Sequence, residues 1–334
     1  MVTEPAEASP SAGPPQAGLD PLGGSGTVPG ARGADMIPVA WPVPRVGIIG
    51  VGNMGGAMAA RLLSQQYLVA VHDIDAQREA QAVALGAMAC STPTGLAASS
   101  DVVIVAVVDA AQTEAVLFGD HGAAQVLAPG SAVMLCPTIA PADTERLVQA
   151  LVARGIDWFD APMSGGPERA RDGSMSLMLA CEHRVLERHR ALVETLSSKV
   201  FHLGERPGDG ARTKLVNNLL AGINLAGAAE ALALASRLGL NLPRTLAVIE
   251  QSSGQSWIGS DRLRRALQGD YLPRAHTSLL NKDTHLALGM AREAGVDTPI
   301  GAQAAAVFAQ ACERGLAGMD DAIVFELLRR RERG

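Results

Sequence analysis

The order of apolar and polar positions divides the chain into two parts with different periods. Between positions 45 and 207, short apolar runs rich in Val and Ile alternate with longer segments of mixed polarity. The runs that predict strands are residues 45–49, 68–72, 101–108, 132–136, 157–161, 175–180 and 199–203. Buried parallel strands have continuous apolar sequences, and helices connect them. Residues 45–207 therefore predict an α/β domain of the Rossmann type.

From Gly208 onward only helical periods occur. Residues 208–235 predict one long, unbroken helix. Shorter helices are predicted at residues 243–251, 257–267, 283–294, 299–314 and 321–331. Residues 208–334 are therefore predicted to form an all-α C-terminal domain, which the long interdomain helix joins to the first domain.

The first 44 residues belong to neither part. They are rich in Pro, Gly, Ala and Ser and contain few large apolar side chains. Such a segment buries too little apolar surface to offset the entropy lost on ordering. We therefore expect residues 1–44 to be a disordered extension that carries no chemistry, and it lacks the basic start and apolar middle of a secretion signal.

Composition narrows the classes of function. Of the 334 residues, 48% are hydrophobic and only 3% aromatic, which predicts a large core built from Ala, Val and Leu. A net charge of −6 without a basic run argues against nucleic acid or a membrane surface as partner, and no apolar run is expected to span a membrane. The four widely spaced cysteines, without a CxxC pair, favour reduced thiols, a cytoplasmic location and no metal site.

A glycine-rich turn follows the first predicted strand and precedes a predicted helix. It consists of Gly50, Val51, Gly52, Asn53, Met54 and Gly55. A turn in this position brings backbone close to a pyrophosphate, and the helix that follows offers its free N–H groups to the phosphates. This order of strand, turn and helix predicts a dinucleotide site to which all six residues contribute.

The second predicted strand ends at Asp73, which lies 21 residues after Gly52. A carboxylate there accepts hydrogen bonds from ribose hydroxyls and repels a 2′-phosphate. Since the next arginine is Arg78, NAD is predicted in preference to NADP; a solvated turn aspartate is the alternative interpretation. Val108 and Thr138 follow two later strands, where loops approach the nicotinamide half of a dinucleotide, so both are predicted cofactor contacts.

Two further stretches carry candidate chemistry. Ser164, Gly165 and Gly166 lie between two apolar strands, where backbone N–H groups and a hydroxyl suit a small carboxylate. Lys214 and Asn218 lie four apart on the long helix and therefore share one of its faces. Each stretch has an ordinary alternative, a plain turn and a solvated surface lysine. Their occurrence together with the glycine turn favours a redox site.

The chain resembles the β-hydroxyacid dehydrogenase family from about residue 45 to its end. Four stretches in family order carry the resemblance: GVGNMG at 50–55, DAPMSGG at 160–166, the segment 210–218, and Lys282-Asp283, which we expect to open a helix. Within the family the chain is most similar to the L-threonate dehydrogenase branch, through residues 107–119, 127–143 and 256–271. Departures are Cys136-Pro137 before Thr138 and Thr284-His285 after Asp283, near the place where substrate and nicotinamide meet.

The resemblance implies NAD-dependent oxidation of L-threonate, or a related sugar acid, at carbon 2. It implies that Lys214 is the catalytic residue, that Ser164–Gly166 and Asn218 hold the substrate, and that Thr138 and Lys282 face the cofactor. Burial and a neighbouring Lys282 would lower the pKa of Lys214 and suit it to act as general base. The second domain would bind substrate and pack against a copy of itself, giving a homodimer or homotetramer.

Other functions stay open at this point. A 3-hydroxyisobutyrate or tartronate semialdehyde type enzyme has the same motifs, and imine reductases share the architecture but usually lack the lysine. A non-catalytic dinucleotide-binding protein is an alternative of another class, which the presence of Lys214 and Asn218 disfavours.

Overall fold

The computed structural model describes residues 43–330. The expected disorder of residues 1–42 and the expected helix end at residue 331 lie outside the described residues.

Strands occupy most of the predicted positions. The strands are β1 (Val46–Ile49), β2 (Val69–His72), β3 (Met88–Ala89), β4 (Val102–Val105), β5 (Ala132–Leu135), β6 (Asp157–Asp160), β7 (Met163–Ser164), β8 (Ser176–Ala180) and β9 (Lys199–Gly204). They form one sheet in the order β3-β2-β1-β4-β5-β6-β8-β7, with β9 beside β8. Pairing is parallel from β3 to β6, whereas β8 runs antiparallel to β6 and β7. The strand order reverses at β1, so a crevice opens at the carboxyl ends of β1 and β4, where α/β sheets bind their ligands.

Helices cover the sheet and build the second domain. They are α1 (Asn53–Ser64), α2 (Ala76–Ala84), α3 (Pro93–Ala97), α4 (Ala110–Phe118), α5 (Pro141–Val152), α6 (Gly166–Asp172), α7 (His183–Arg188), α8 (Arg190–Leu196), α9 (Asp209–Arg237), α10 (Leu242–Glu250), α11 (Trp257–Leu267), α12 (Thr277–Glu293), α13 (Pro299–Ala311) and α14 (Val324–Arg329). The predicted class, a Rossmann-type domain followed by an all-α domain, is confirmed.

The sheet is buried on both faces, which explains the continuous apolar runs. Every residue of β1 and of β4 is buried. One apolar cluster contains Met58 and Leu62 of α1, and the other contains Leu117 and Leu147 of α4 and α5. A strand covered on one side only would alternate polar and apolar positions instead.

Helix α9 is the core of the second domain, where α11, α12, α13 and α14 pack against it. Small residues permit this close packing: a Cβ at Gly222 would come within 2.8 Å of the Thr284 methyl group. Within residues 43–330, α9 is also the one helix long and apolar enough to span a membrane by length and composition. The expectation that no segment meets that test was therefore wrong. Packing inside a helical domain accounts for the apolar composition.

Two local predictions about helices were wrong. Lys282 and Asp283 do not open a helix, because α12 already begins at Thr277, whose hydroxyl donates to the carbonyls of Met319 and Asp320. Residues 166–172 form helix α6, although Gly166-Pro167 looked like part of a turn. Proline suits the first turn of a helix, where its missing N–H has no partner to lose.

Candidate active site

The glycine turn at the carboxyl end of β1 has the geometry that a pyrophosphate requires. The backbone of Gly50 adopts a positive φ of 88°. A Cβ at Gly55 would lie 1.9 Å from the carbonyl oxygen of Gly50, so only glycine lets α1 start this close to the strand. The N-terminal end of α1 therefore lies directly at the carboxyl end of β1, and a strand, glycine turn and helix in this arrangement fit a dinucleotide.

Asp73, at the end of β2, is tied to this turn. Its Oδ2 accepts the backbone N–H of Val51 at 2.7 Å, and its Oδ1 accepts the N–H of Asp75 at 2.9 Å. Arg78 is closer to the turn than its position in the sequence suggested. Its Nη1 lies 2.3 Å from the point that a Cβ of Gly52 would occupy, and its Nε lies 3.3 Å from Asp75. The crevice thus contains both a carboxylate and a guanidinium.

The side chains of the turn have other partners than a dinucleotide. Asn53 Nδ2 donates to the carbonyls of Pro273 and Arg274 at 3.3 and 3.4 Å, so it connects the turn to the second domain. Met54 packs against the sheet core, and Val51 is buried. The backbone of the turn is what remains available for phosphates.

A network of polar side chains joins the two domains beside the crevice. Asn218 Nδ2 donates to Asp283 Oδ2 at 2.7 Å, and the Nζ of Lys282 lies 2.8 Å from Asp283 Oδ1. Lys282 also donates to the carbonyl oxygen of Thr138, which follows β5. The predicted residues Thr138, Lys214, Asn218 and Lys282 are therefore brought to one place from three separate segments.

Lys214 lies on the same face of α9 as Asn218, and each is only 8% exposed. Within residues 43–330 the Nζ of Lys214 makes no hydrogen bond and has no carboxylate within 4 Å. Burial lowers its pKa to about 8, Asp283 opposes that shift, and Lys282 adds to it. An amine that is buried, unpaired and only partly protonated near neutral pH is suited to exchange protons.

Asp160 fixes the position of the helix that carries Lys214. This carboxylate, at the end of β6, accepts the backbone N–H of Ala211 at 3.2 Å, and hydrogen bonds from Gly210 and Gly208 also reach it. Burial raises the pKa of Asp160 to about 6, and those hydrogen bonds oppose the rise. A carboxylate at a helix N-terminus stabilises that end, so Asp160 anchors α9 to the sheet one turn before Lys214.

The candidate carboxylate cradle lies four residues beyond Asp160. Gly165 and Gly166 have φ values of 126° and 76°, conformations that strongly favour glycine. Ser164 pairs with Ser176 of β8 and is half-buried. Val108 is 48% exposed beyond the end of β4, because the strand stops at Val105 rather than at 108 as expected.

Sequence reasoning missed several side chains of this region. Asp283 was interpreted only as a helix-start residue, and no role was assigned to Asp160, Arg78, Arg169 or Trp257. Asp160 begins the DAPMSGG stretch, so its spacing from the cradle was an available signal. For Arg169 and Trp257 no signal exists in the sequence, because they meet only through the packing of two domains. Among the described residues no group of three His, Cys, Asp or Glu side chains is arranged to hold a metal.

Comparison with known families agrees with this arrangement. The profile of the NAD binding domain of 6-phosphogluconate dehydrogenase matches residues 45–204. The profile described as the NAD-binding of NADP-dependent 3-hydroxyisobutyrate dehydrogenase matches residues 208–328. Fold and profiles together define a nicotinamide dinucleotide-dependent oxidoreductase, and the expected cofactor class is confirmed.

Individual relatives indicate which kind of oxidoreductase the chain is. L-threonate dehydrogenase of Cupriavidus necator is 36% identical over 282 residues, covering 84% of this chain and 95% of that protein. 2-(Hydroxymethyl)glutarate dehydrogenase of Eubacterium barkeri is 31% identical and covers 85% and 94%. The crystal structure of 3-hydroxyisobutyrate dehydrogenase from Salmonella typhimurium superposes with a TM-score of 0.80 at 33% identity, covering 85% and 99%. The chain belongs to the β-hydroxyacid dehydrogenase family and is a hydroxyacid dehydrogenase.

Proposed function

We propose that this protein oxidises L-threonate, or a closely related sugar acid, at carbon 2 with NAD, and that Lys214 is its general base. The observation that carries the proposal is the buried Lys214 amine, which makes no hydrogen bond within the described part of the chain and lies one helical turn from Asn218 and near Lys282. The similarity to L-threonate dehydrogenase supports the choice of substrate.

Proton transfer is the part of the reaction that the chain itself performs. The neutral amine of Lys214 accepts the hydroxyl proton during oxidation, and the ammonium form returns it during reduction. A bound nicotinamide supplies the hydride acceptor. With a pKa lowered to about 8, Lys214 exists in both forms near neutral pH, which favours catalysis in both directions.

We assign the binding and orientation of the substrate to uncharged groups of the protein. The N–H groups of Gly165 and Gly166 and the Ser164 hydroxyl hold the carboxylate. Asn218 is oriented by two hydrogen bonds, one that it donates to Asp283 and one that its amide oxygen accepts from Asn217, and the remaining lone pair of that oxygen is presented to the substrate. Neutral donors and acceptors fix the acid without adding charge that would shift the pKa of Lys214 further.

We propose NAD as the preferred cofactor because the carboxylate of Asp73 lies beside the turn and repels a 2′-phosphate. Arg78 acts in the opposite direction, so the preference is expected to be moderate. The sites on Gly50–Gly55, Val108, Thr138 and Lys282 are assigned to the same cofactor.

A hydroxy-acid panel tests the function directly. L-threonate, D-threonate, erythronates, glycerate, 3-hydroxyisobutyrate and serine are each assayed with NAD and with NADP. The proposal expects the highest kcat/KM for a four-carbon sugar acid with NAD. Highest efficiency with 3-hydroxyisobutyrate would favour the other branch of the family. NAD binding without turnover of any acid would favour a non-catalytic dinucleotide-binding protein.

We also propose that the protein is at least a dimer, located in the cytoplasm, without nucleic-acid or membrane partners. Val216, Leu220 and Leu234 lie on one face of α9, Leu238 follows directly after its end, and each of the four is more than half exposed. Exposed apolar side chains towards both ends of one helix face are typical of an interface, and a second copy of the domain would cover them. Sedimentation of a monomer at micromolar concentration would contradict this assembly.

A further inference from the structure

Arg169 connects the carboxylate cradle to the second domain. It lies on α6, one turn after Gly166, and its Cδ is 2.9 Å from the point that a Cβ of Gly165 would occupy. Its guanidinium carbon lies 5.0 Å from the centroid of the Trp257 ring at the start of α11. The side chain thus runs from the cradle to an aromatic platform on the other domain.

Arg169 makes no ion pair within the described residues, and the nearby Asp172 interacts with its charge only at longer range. The side chain is half-buried, and no carboxylate within residues 43–330 lies within 4 Å of it. The guanidinium carbon of Arg262 lies 5.9 Å from the centroid of the same Trp257 ring, but Arg262 has carboxylate partners. It pairs with Asp321 and with Asp261, both at 2.5 Å. Arg274, near the same place, pairs with Asp270 at 2.9 Å.

Stacking alone does not use the hydrogen-bonding capacity of Arg169. A guanidinium has five N–H donors in its plane and cannot lose its proton in a protein. Contact with the Trp257 ring does not use these donors, and within residues 43–330 none of them makes a hydrogen bond. A planar fork of donors beside a site for small acids matches a carboxylate, which can accept two parallel hydrogen bonds.

We propose that Arg169, held against Trp257, binds a second carboxylate of the substrate, so that the preferred substrates are hydroxy acids with an acid group at each end. The first carboxylate lies in the cradle of Ser164–Gly166, and the second is paired with Arg169. This inference rests on the proposed function and selects, among the related sugar acids proposed there, those with a second carboxylate in preference to L-threonate itself.

Binding to the NADH-saturated enzyme tests the proposal without relying on turnover. Two matched pairs of ligands differ in the second carboxylate: L-lactate with L-malate, and L-threonate with L-tartrate. Calorimetry gives a ratio of dissociation constants for each pair in the wild type, Arg169→Ala, Arg169→Lys and Arg171→Ala. Arg171 lies exposed on the same helix and is the matched control.

The expected result is a preference for the dicarboxylate of about tenfold or more in the wild type, as is typical of a charge-assisted pair. Arg169→Ala should bring the ratio close to one, Arg169→Lys should keep part of it, and Arg171→Ala should keep all of it. NADH affinity should be the same in all four proteins. An unchanged ratio in Arg169→Ala, or an equal loss for both members of each pair, would overturn the proposal.

Turnover separates this inference from the function on which it rests. If the wild type oxidises hydroxy acids but the ratio does not depend on Arg169, the inference alone fails. If no acid is oxidised while the ratio depends on Arg169, the proposed activity fails and the anion site remains.

Discussion

The two halves of the site are built in different ways. The proposed cofactor half has its pyrophosphate site in one continuous segment, Gly50–Gly55, which offers mainly backbone. The proposed catalytic half uses side chains from separate segments, with Lys214 and Asn218 on α9 and Asp283 on α12, and Lys282 and the carbonyl of Thr138 lie where it meets the cofactor half. Backbone geometry is fixed by glycines next to one another, whereas a side-chain network depends on how two domains pack. Changes in the two halves should therefore have separable effects.

The largest effect is expected from Lys214. Lys214→Ala should lower turnover by about 10²- to 10⁴-fold, the usual contribution of a positioned acid–base group. NAD affinity should stay near the wild-type value, because the glycine turn and Asp73 are untouched. Lys214→Arg should not restore turnover, since a guanidinium stays protonated. Stopped-flow turnover together with NAD titration makes the comparison, and near-normal turnover of the Arg variant would remove Lys214 from its role.

The reverse pattern is expected in the cofactor half. Gly55→Ala would place a Cβ 1.9 Å from the Gly50 carbonyl oxygen, so α1 must move away from the strand. NAD affinity should fall by about tenfold or more, in line with an overpacking cost of roughly 1–3 kcal/mol. Gly318→Ala is the control, because Gly318 lies outside both the turn and α9 and a Cβ there meets no atom within 4 Å. NAD titration that gives equal affinities for both variants would contradict the assignment of the turn.

The buried amine should also cost stability. Burial lowers the pKa of Lys214 in the folded state from 10.5 to about 8. The unfolded chain thus binds more protons between these values, and stability rises with pH across that window. Below it the cost is constant, so Lys214→Met should raise the free energy of unfolding at pH 7 by about 1–3 kcal/mol. Urea unfolding of both proteins at pH 7 and pH 10 measures this gain in unfolding free energy. A gain at pH 7 that is no larger than the gain at pH 10 would argue against a desolvated amine.

A smaller effect is expected from Asp283, which opposes the lowering of the Lys214 pKa. Asp283→Asn should move the pH midpoint of oxidation to lower pH and reduce kcat by about tenfold at most, as expected for a charged hydrogen-bond partner of Asn218. Glu293→Gln, at an exposed position of the same helix, should leave the midpoint in place. A midpoint that moves upward in Asp283→Asn would contradict the proposed electrostatics.

The same contrast explains how much the sequence could predict. The turn and most strands were located correctly, because the residues that determine them are neighbours in the chain. Lys214 and Asn218 were recognised as sharing a face, since helical spacing is local. Asp283, the hydrogen-bond partner of Asn218, was placed at a helix start because a carboxylate suits that end, whereas α12 begins at Thr277. The contact of Arg169 with Trp257 joins residues 88 positions apart and depends on domain packing, which periodicity does not report.

The central claim is that a buried, neutral Lys214 takes the substrate proton, and the pH dependence of kcat/KM tests it most directly. For oxidation, kcat/KM should rise with pH to a plateau with a midpoint of about 8. The amine must be deprotonated to act as base. For reduction, kcat/KM should fall through the same midpoint, because the ammonium is then the required form. A shared midpoint near 8 in both directions is the predicted result, and an oxidation profile without a titration between pH 6 and 10 would contradict the account.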